Sequence, residues 1–182
     1  MLSRGWFFIY TGIMKKQILL ANNPEEIGTL RTKSEPVAEV DDAVRQLVVD
    51  MFDSMDADKG IGLSAPQIGV LQRVIICKYD YKEDPVPRTV LVNPEIIWAS
   101  ELIAEDEEGC LSFPGVYGMV KRPESIEYQG LDENGKKIKA KASGMLARII
   151  QHEIDHLDGV LLPDRVEGDL YTYEKPAGPE AL

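Results

Sequence analysis

The sequence predicts an α+β domain from three observations. An amphipathic helical stretch lies in the first third, separated strand segments fill the middle, and one strongly apolar helical stretch follows them. Helices and strands do not alternate one for one, so a parallel βαβ sheet is not expected. With 182 residues the chain can bury one real core but not two large ones.

Arg4 precedes Gly5-Trp6-Phe7-Phe8-Ile9-Tyr10-Thr11-Gly12-Ile13, which has the size of a signal-peptide core but no small-residue cleavage site after it. Met14-Lys15-Lys16-Gln17 reads like a cytoplasmic start. Residues 1–13 are therefore expected to be an appendage or an upstream start, with a targeting segment as the alternative. From Asp41 to Met55 the apolar residues Val44, Leu47, Val48, Met51, Phe52 and Met55 repeat at helical spacing, and Asp41 or Asp42 can cap them. Lys59–Gly69, rich in Gly, Ser and Pro, reads as a loop. Arg73–Lys78 and Thr89–Val92 read as strands from their β-branched residues, and the charged, proline-bearing Tyr79–Arg88 joins them as a surface loop. Ser125–Leu131 and Lys137–Ala142 flank an Asn-Gly turn signal and form a hairpin. Ser143 is positioned to cap a helix running to about Leu157, with Gly159 as its stop. Met145, Leu146, Ile149, Ile150 and Ile154 make that helix apolar around most of its girth, which predicts burial. The domain is expected to span 14–170, and 171–182 to form a short irregular tail.

Apolar residues at 44% and charged residues at 28% fit a globular chain and exclude disorder or a fibrous repeat. The formal charge of −11 opposes general binding to nucleic acid or anionic membranes. No apolar run reaches the roughly 18 residues of a membrane span. Two cysteines, Cys77 and Cys110, make no disulfide framework and suggest a reducing, cytoplasmic setting, with an organelle or a phage-infected host as variants of it.

Both histidines of the chain lie in His152-Glu153-Ile154-Asp155-His156. Four residues apart on a helix, they stand on one face and can reach a single metal ion, with Glu153 placed to take a proton from water there. The same pattern also arises by chance in a helix with two core histidines. A catalytic metal needs a third protein ligand. No histidine follows Leu157, and Glu167 or Asp169 could serve, although nothing local singles them out. Cys110, in Glu108-Gly109-Cys110-Leu111-Ser112 after an acidic run, is the other candidate, since thiolates bind divalent cations strongly. Cys77, inside a β-branched strand, reads as a small buried hydrophobe. Gly60-Ile61-Gly62-Leu63-Ser64-Ala65-Pro66-Gln67 lacks the Lys-Ser/Thr of a phosphate loop and follows a helix, not a strand, so phosphate binding is not expected. Gln67 offers an amide that could polarise a carbonyl.

Together and in this order, the three segments resemble the motifs of the peptide deformylases, with the likeness extending over roughly Ile18–Arg165. The resemblance implies antiparallel β-sheets packed around a buried central helix that carries the HExxH motif. It implies a metal-dependent hydrolase that removes the N-formyl group from formyl-methionyl nascent peptides. By the same likeness Cys110, His152 and His156 hold one divalent ion, typically Fe²⁺, with Zn²⁺, Ni²⁺ or Co²⁺ able to replace it. Glu153 is the base, and Gln67 with the Leu111 N–H steadies the developing oxyanion. Ile61, Gly62 and Gly109 line the peptide cleft, and Met145 and Ile149 meet the methionine side chain.

The chain departs from the pattern at Ser64, where alanine is usual, at Arg148, where an apolar pocket residue is common, and at Tyr117, where some members carry arginine. Arg148 in particular leaves substrate preference open. Asp155 is expected to pair with Arg122 as a structural ion pair. The tail is too short for the long C-terminal helix associated with ribosome docking, so any ribosome contact must use another surface. A monomer without nucleic-acid or membrane partners is expected. Two rival readings remain at this level: a zincin-type protease, which needs a downstream ligand in place of Cys110, and a non-catalytic metal-bound interaction protein, which needs a damaged catalytic set.

Overall fold

The computed structural model describes residues 15–173 except Tyr81 and Asp84; the N-terminal appendage and the end of the tail lie outside the described residues. After a short helical turn, α1 (Ile27–Leu30), comes α2 (Asp42–Ala57), and Asp41 is its cap, accepting from Val44 N at 3.0 Å. The strands are β1 (Gly62–Ser64), β2 (Val74–Tyr79), β3 (Val86–Ala99), β4 (Ile103–Cys110), β5 (Phe113–Pro123), β6 (Ser125–Leu131), β7 (Lys137–Ser143) and β8 (Tyr171–Thr172). A 3₁₀ turn over Ala65–Ile68 follows β1, α3 (Gly144–Leu157) follows β7, and α4 (Leu162–Arg165) precedes β8. Every strand pair is antiparallel, in a five-stranded sheet ordered β1-β2-β3-β6-β7 and a three-stranded sheet ordered β4-β5-β8.

The larger sheet is covered on both faces, which explains why β2 reads as a continuous apolar run rather than an alternating one. Val74, Ile76, Val90 and Val92 pack beneath Val44, Val48, Met51 and Met55 of α2. Ile75 and Leu91, one residue out of phase, pack with Ala147, Ile150 and Leu157 of α3. The period-two pleat thus delivers neighbouring residues of one strand to two separate cores. Helix α3 touches strands of both sheets and stands between them. The α+β expectation, with antiparallel sheets around a buried helix, is therefore met.

Several boundaries differ from the sequence reading. Lys59–Gly69 is not all loop, because Gly62–Ser64 pairs with Ile75–Cys77. Strand β3 runs well past Thr89–Val92 at both ends, and Pro87 sits inside it near its start, where Tyr79 pairs with Val86. Strands β4 and β5 carried no sequence signal, since the acidic run from Glu105 to Glu108 lacks alternation and is held by pairing alone. Within the tail, Tyr171–Thr172 is ordered as a strand on β5. Ser143 occupies the N-cap position of α3 but makes no side-chain capping bond. Gly159 does lie just beyond the helix, with φ +75°.

Candidate active site

A cleft of about 940 Å³ opens between the two sheets, and its floor is α3. Ile61, Gly62, Gln67, Gly109, Cys110, Leu111, Met145, Ile149, His152 and Glu153 all line it. His156 lies directly behind, 1% exposed. Three short segments far apart in the chain converge here because the helix carries one set of residues and the two sheet edges carry the others.

The sulfur of Cys110 and one nitrogen each of His152 and His156 lie within 4.8 Å of one another. The helix supplies the two imidazoles one turn apart, with ring centroids at 4.9 Å. A register shift between Gly109 and Cys110 at the end of β4 brings the thiol to them, so that Sγ is 3.2 Å from His156 Nε2. His152 Nδ1 is 2.9 Å from Glu108 Oε2. This leaves its other nitrogen for a ligand, the arrangement in which a carboxylate orients a metal-bound histidine. Thiolate and imidazole donors at this spacing, with an open cleft on the fourth side, fit a catalytic divalent cation. Burial, reinforced by the charges of His152 and Arg122, pushes His156 well below the usual histidine range and keeps it neutral. Burial acts in the same direction on His152, but its bonds to Cys110 and Glu108 hold it well above that range.

Glu153 is 4% exposed, and its Oε2 is buried without a hydrogen-bond partner. Burial pushes this carboxyl up to about 7, against the pull of His152 and Ser64. A carboxyl poised there can accept and return a proton near neutral pH. Gly62 packs directly against it: a Cβ at that position would lie 2.5 Å from Glu153 Oε1 and 2.7 Å from Ile149 Cγ2. The amide of Gln67 is fixed from behind, because its Oε1 accepts from Ser64 N and Ser64 Oγ, both at 2.9 Å. Its Nε2 therefore turns toward Cys110 Sγ at 3.5 Å and Ser112 Oγ at 3.3 Å.

A family model of polypeptide deformylase matches residues 15–170. The chain belongs to the peptide deformylase family. It is 50% identical over 139 residues to peptide deformylase 2 of Prochlorococcus marinus (strain MIT 9313), covering 76% of this chain and 69% of that one. It is 48% identical over 141 residues to the peptide deformylase of a Picosynechococcus strain, covering 78% and 75%. Among solved structures it resembles the Synechococcus elongatus peptide deformylase, determined with actinonin, at TM-score 0.77 and 38% identity, covering 86% of this chain and 84% of that one. A probable peptide deformylase of the Synechococcus phage S-SSM7 superposes at TM-score 0.75 with 39% identity, covering 83% and 99%. The protein is thus a hydrolase that removes the N-formyl group from newly made polypeptides beginning with formyl-methionine, in a metal-dependent family.

In this deformylase the residue that sequence reasoning passed over is Glu108. It is 6% exposed and lies against three basic side chains: Arg122 through Nε and Nη2 at 2.7 and 2.9 Å, Arg148 Nη1 at 2.7 Å, and His152. Its sequence signal was its place at the head of the Glu108–Ser112 segment, two residues before Cys110, from which no role was read. Arg148, the departure that left substrate preference open, lines the cleft but spends its guanidinium on the protein's own groups, beginning with the Glu108 carboxylate. It also donates to the Val120 and Ala104 carbonyls at 3.0 and 2.8 Å, tying α3 to β4 and β5. Asp155 pairs with Arg122 at 2.8 Å as expected, and also with Arg165. Glu167, a conceivable third ligand from sequence, instead meets Lys121 Nζ at 2.6 Å. Cys77 is buried at 1% exposure, and burial pushes its thiol up to about 12. Among the described residues no helix is long and apolar enough to cross a membrane.

Proposed function

We propose that Cys110, His152 and His156 hold the deformylase's single divalent cation, and that Glu153 is the general base of the reaction. The observation that carries this reading is the convergence of a thiol and two imidazoles beside a buried carboxyl at the floor of an open cleft. Thiolate and imidazole donors suit Fe²⁺ and Zn²⁺ alike, and the likeness to the family supports Fe²⁺ as the resident ion, with Zn²⁺, Ni²⁺ or Co²⁺ as substitutes. When bound, the cation acts as a Lewis acid that acidifies water and polarises the formyl carbonyl.

The chain's own groups do the rest. Glu153 takes the proton of the attacking water and passes it to the departing methionine amine. The Gln67 amide and the Leu111 N–H donate to the formyl oxygen as negative charge grows on it, which matters most in the transition state. Ile61, Gly62 and Gly109 present backbone to the peptide, and Met145 and Ile149 give the methionine side chain an apolar seat. Formate and a peptide with a free amine leave.

The test is formate release from a formyl-Met tripeptide by protein loaded with Fe²⁺ in the absence of oxygen, beside Glu153→Ala. Turnover is expected to fall about a hundred- to ten-thousand-fold in the variant, with metal content unchanged. A correctly metallated wild type that releases no formate would sink the reading.

A further inference from the structure

Cys110 and the two histidines reach the cleft on separate elements: β4 ends at Cys110, and α3 carries His152 and His156. Their donors converge on one cation only if strand and helix are held together to within about half an ångström. Apolar packing cannot do this alone, because between Ala104 and Gly109 the strand has no large apolar side chain to lay on the helix. The tie must be polar.

Arg148 supplies it. It lies on α3 one turn before His152, on the same face of the helix, and is 8% exposed. Its Nη1 spends both hydrogens on protein acceptors, donating to Glu108 Oε1 at 2.7 Å and to the Val120 carbonyl at 3.0 Å. Its Nη2 donates to the Ala104 carbonyl at 2.8 Å. Ala104 and Glu108 belong to β4 and Val120 to β5, so one guanidinium grips the smaller sheet at three points. Glu108 stands two residues before Cys110, and its other oxygen lies 2.9 Å from His152 Nδ1. The same carboxylate therefore touches the strand's thiol segment and the helix's imidazole. Arg122 also holds Glu108, through Nε and Nη2, but it comes from β5 and meets α3 through Asp155. Three acceptors in different directions suit a rigid planar fork, which a single ammonium does not reproduce.

We propose that Arg148 is a positioning residue for the metal site: its guanidinium locks the Cys110 end of β4 onto α3 and, through Glu108, fixes the ring of His152. The role rests on the reading that Cys110, His152 and His156 hold the cation. Although Arg148 lines the cleft, it acts through these groups and not on the peptide.

The experiment measures Zn²⁺ affinity by chelator competition, the absorption bands of the Co²⁺-loaded protein, and kcat and KM for a formyl-Met tripeptide. The proteins are wild type, Arg148→Met, Arg148→Lys and Val48→Ala. Val48 is a buried α2 residue of the larger core, so its truncation lowers stability away from the site. Arg148→Met is expected to weaken Zn²⁺ binding roughly ten- to a hundredfold, to shift the Co²⁺ bands, and to lower kcat with KM little changed. Arg148→Lys keeps the charge without the fork and should remain about threefold or more weaker than wild type. Val48→Ala should match wild type in affinity and bands. Wild-type affinity and bands in Arg148→Met, or in Arg148→Lys, would overturn the role. So would an equal loss of affinity in Val48→Ala at a comparable melting temperature, since stability alone would then account for it. A rise in KM with affinity and bands unchanged would place Arg148 on the peptide and overturn the role as well. Should Arg148→Met not fold, Arg148→Lys read against Val48→Ala decides. A wild type that binds no Zn²⁺ would remove the metal-site reading and this role together, whereas failure of the role alone leaves wild-type binding intact.

Discussion

Ser64 and Glu108 show how single side chains aim groups that they do not themselves supply. Ser64 donates its hydroxyl and its N–H to one amide oxygen, which leaves the Gln67 NH₂ pointing into the cleft. Ser64→Ala removes one of these bonds, so kcat should fall roughly three- to tenfold, equivalent to about 1 kcal/mol, with KM little changed; steady-state kinetics on a formyl-Met peptide checks this. Burial alone would raise the Glu108 carboxyl, yet hydrogen bonds from His152 and Arg122 outweigh it and hold it well below the carboxylate range. A carboxyl whose folded pKa lies below its unfolded value near 4.3 contributes stability in full above that pH. The contribution drains away as pH falls through the folded value. Melting temperature should therefore drop as pH is lowered below about 4, and the drop should be shallower in Glu108→Gln, which is already destabilised at neutral pH because two arginines lose their buried counter-ion. Thermal melts across the acid range would show equal slopes if Glu108 were not linked to folding.

Helix α3 does at the scale of an element what no single residue could. It sends Ala147, Ile150 and Leu157 to the core and His152 with Glu153 to the cleft, with His156 directly behind them. Its end must therefore be fixed in rotation as well as position. Gly159 performs part of that task, with φ +75° and a tight approach to another segment: a Cβ there would lie 2.4 Å from the Arg31 carbonyl oxygen. Gly159→Ala forces a left-handed conformation on a residue with a Cβ and pushes that Cβ against the Arg31 backbone. It should cost about 1–3 kcal/mol and lower the melting temperature by several degrees, which calorimetry would measure. An unchanged melting temperature would mean that the 159 turn and the Arg31 segment part without loss.

In the whole molecule the proposed metal ligands come from two sheets' worth of architecture: Cys110 from the end of β4 and both histidines from the helix packed on the larger sheet. A bound cation therefore ties the smaller sheet to the larger body and stabilises by mass action as well as by chemistry. Stripping it with a chelator should lower the melting temperature by several degrees and abolish formate release, and re-addition of Fe²⁺ or Zn²⁺ should restore the melt. If the melt did not move on metal removal, the Cys110–His152–His156 assignment would fail. The sequence by itself determined the α+β class, the α2 and α3 helices, the hairpin and the three motif segments, because each is a local signal: helical spacing, a turn dipeptide, two histidines four apart. Only the tertiary structure decided that Glu105–Glu108 is a strand, that Glu108 is buried under three basic groups, that Arg148 ties the helix to β4 and β5, and that the Tyr171 and Tyr173 hydroxyls bond Glu107. Those residues have ordinary polar surroundings in the chain, and their roles arise from pairing and burial between segments distant in sequence. A charge or a ring acquires its meaning from what the fold places against it, and no window along the chain contains both partners.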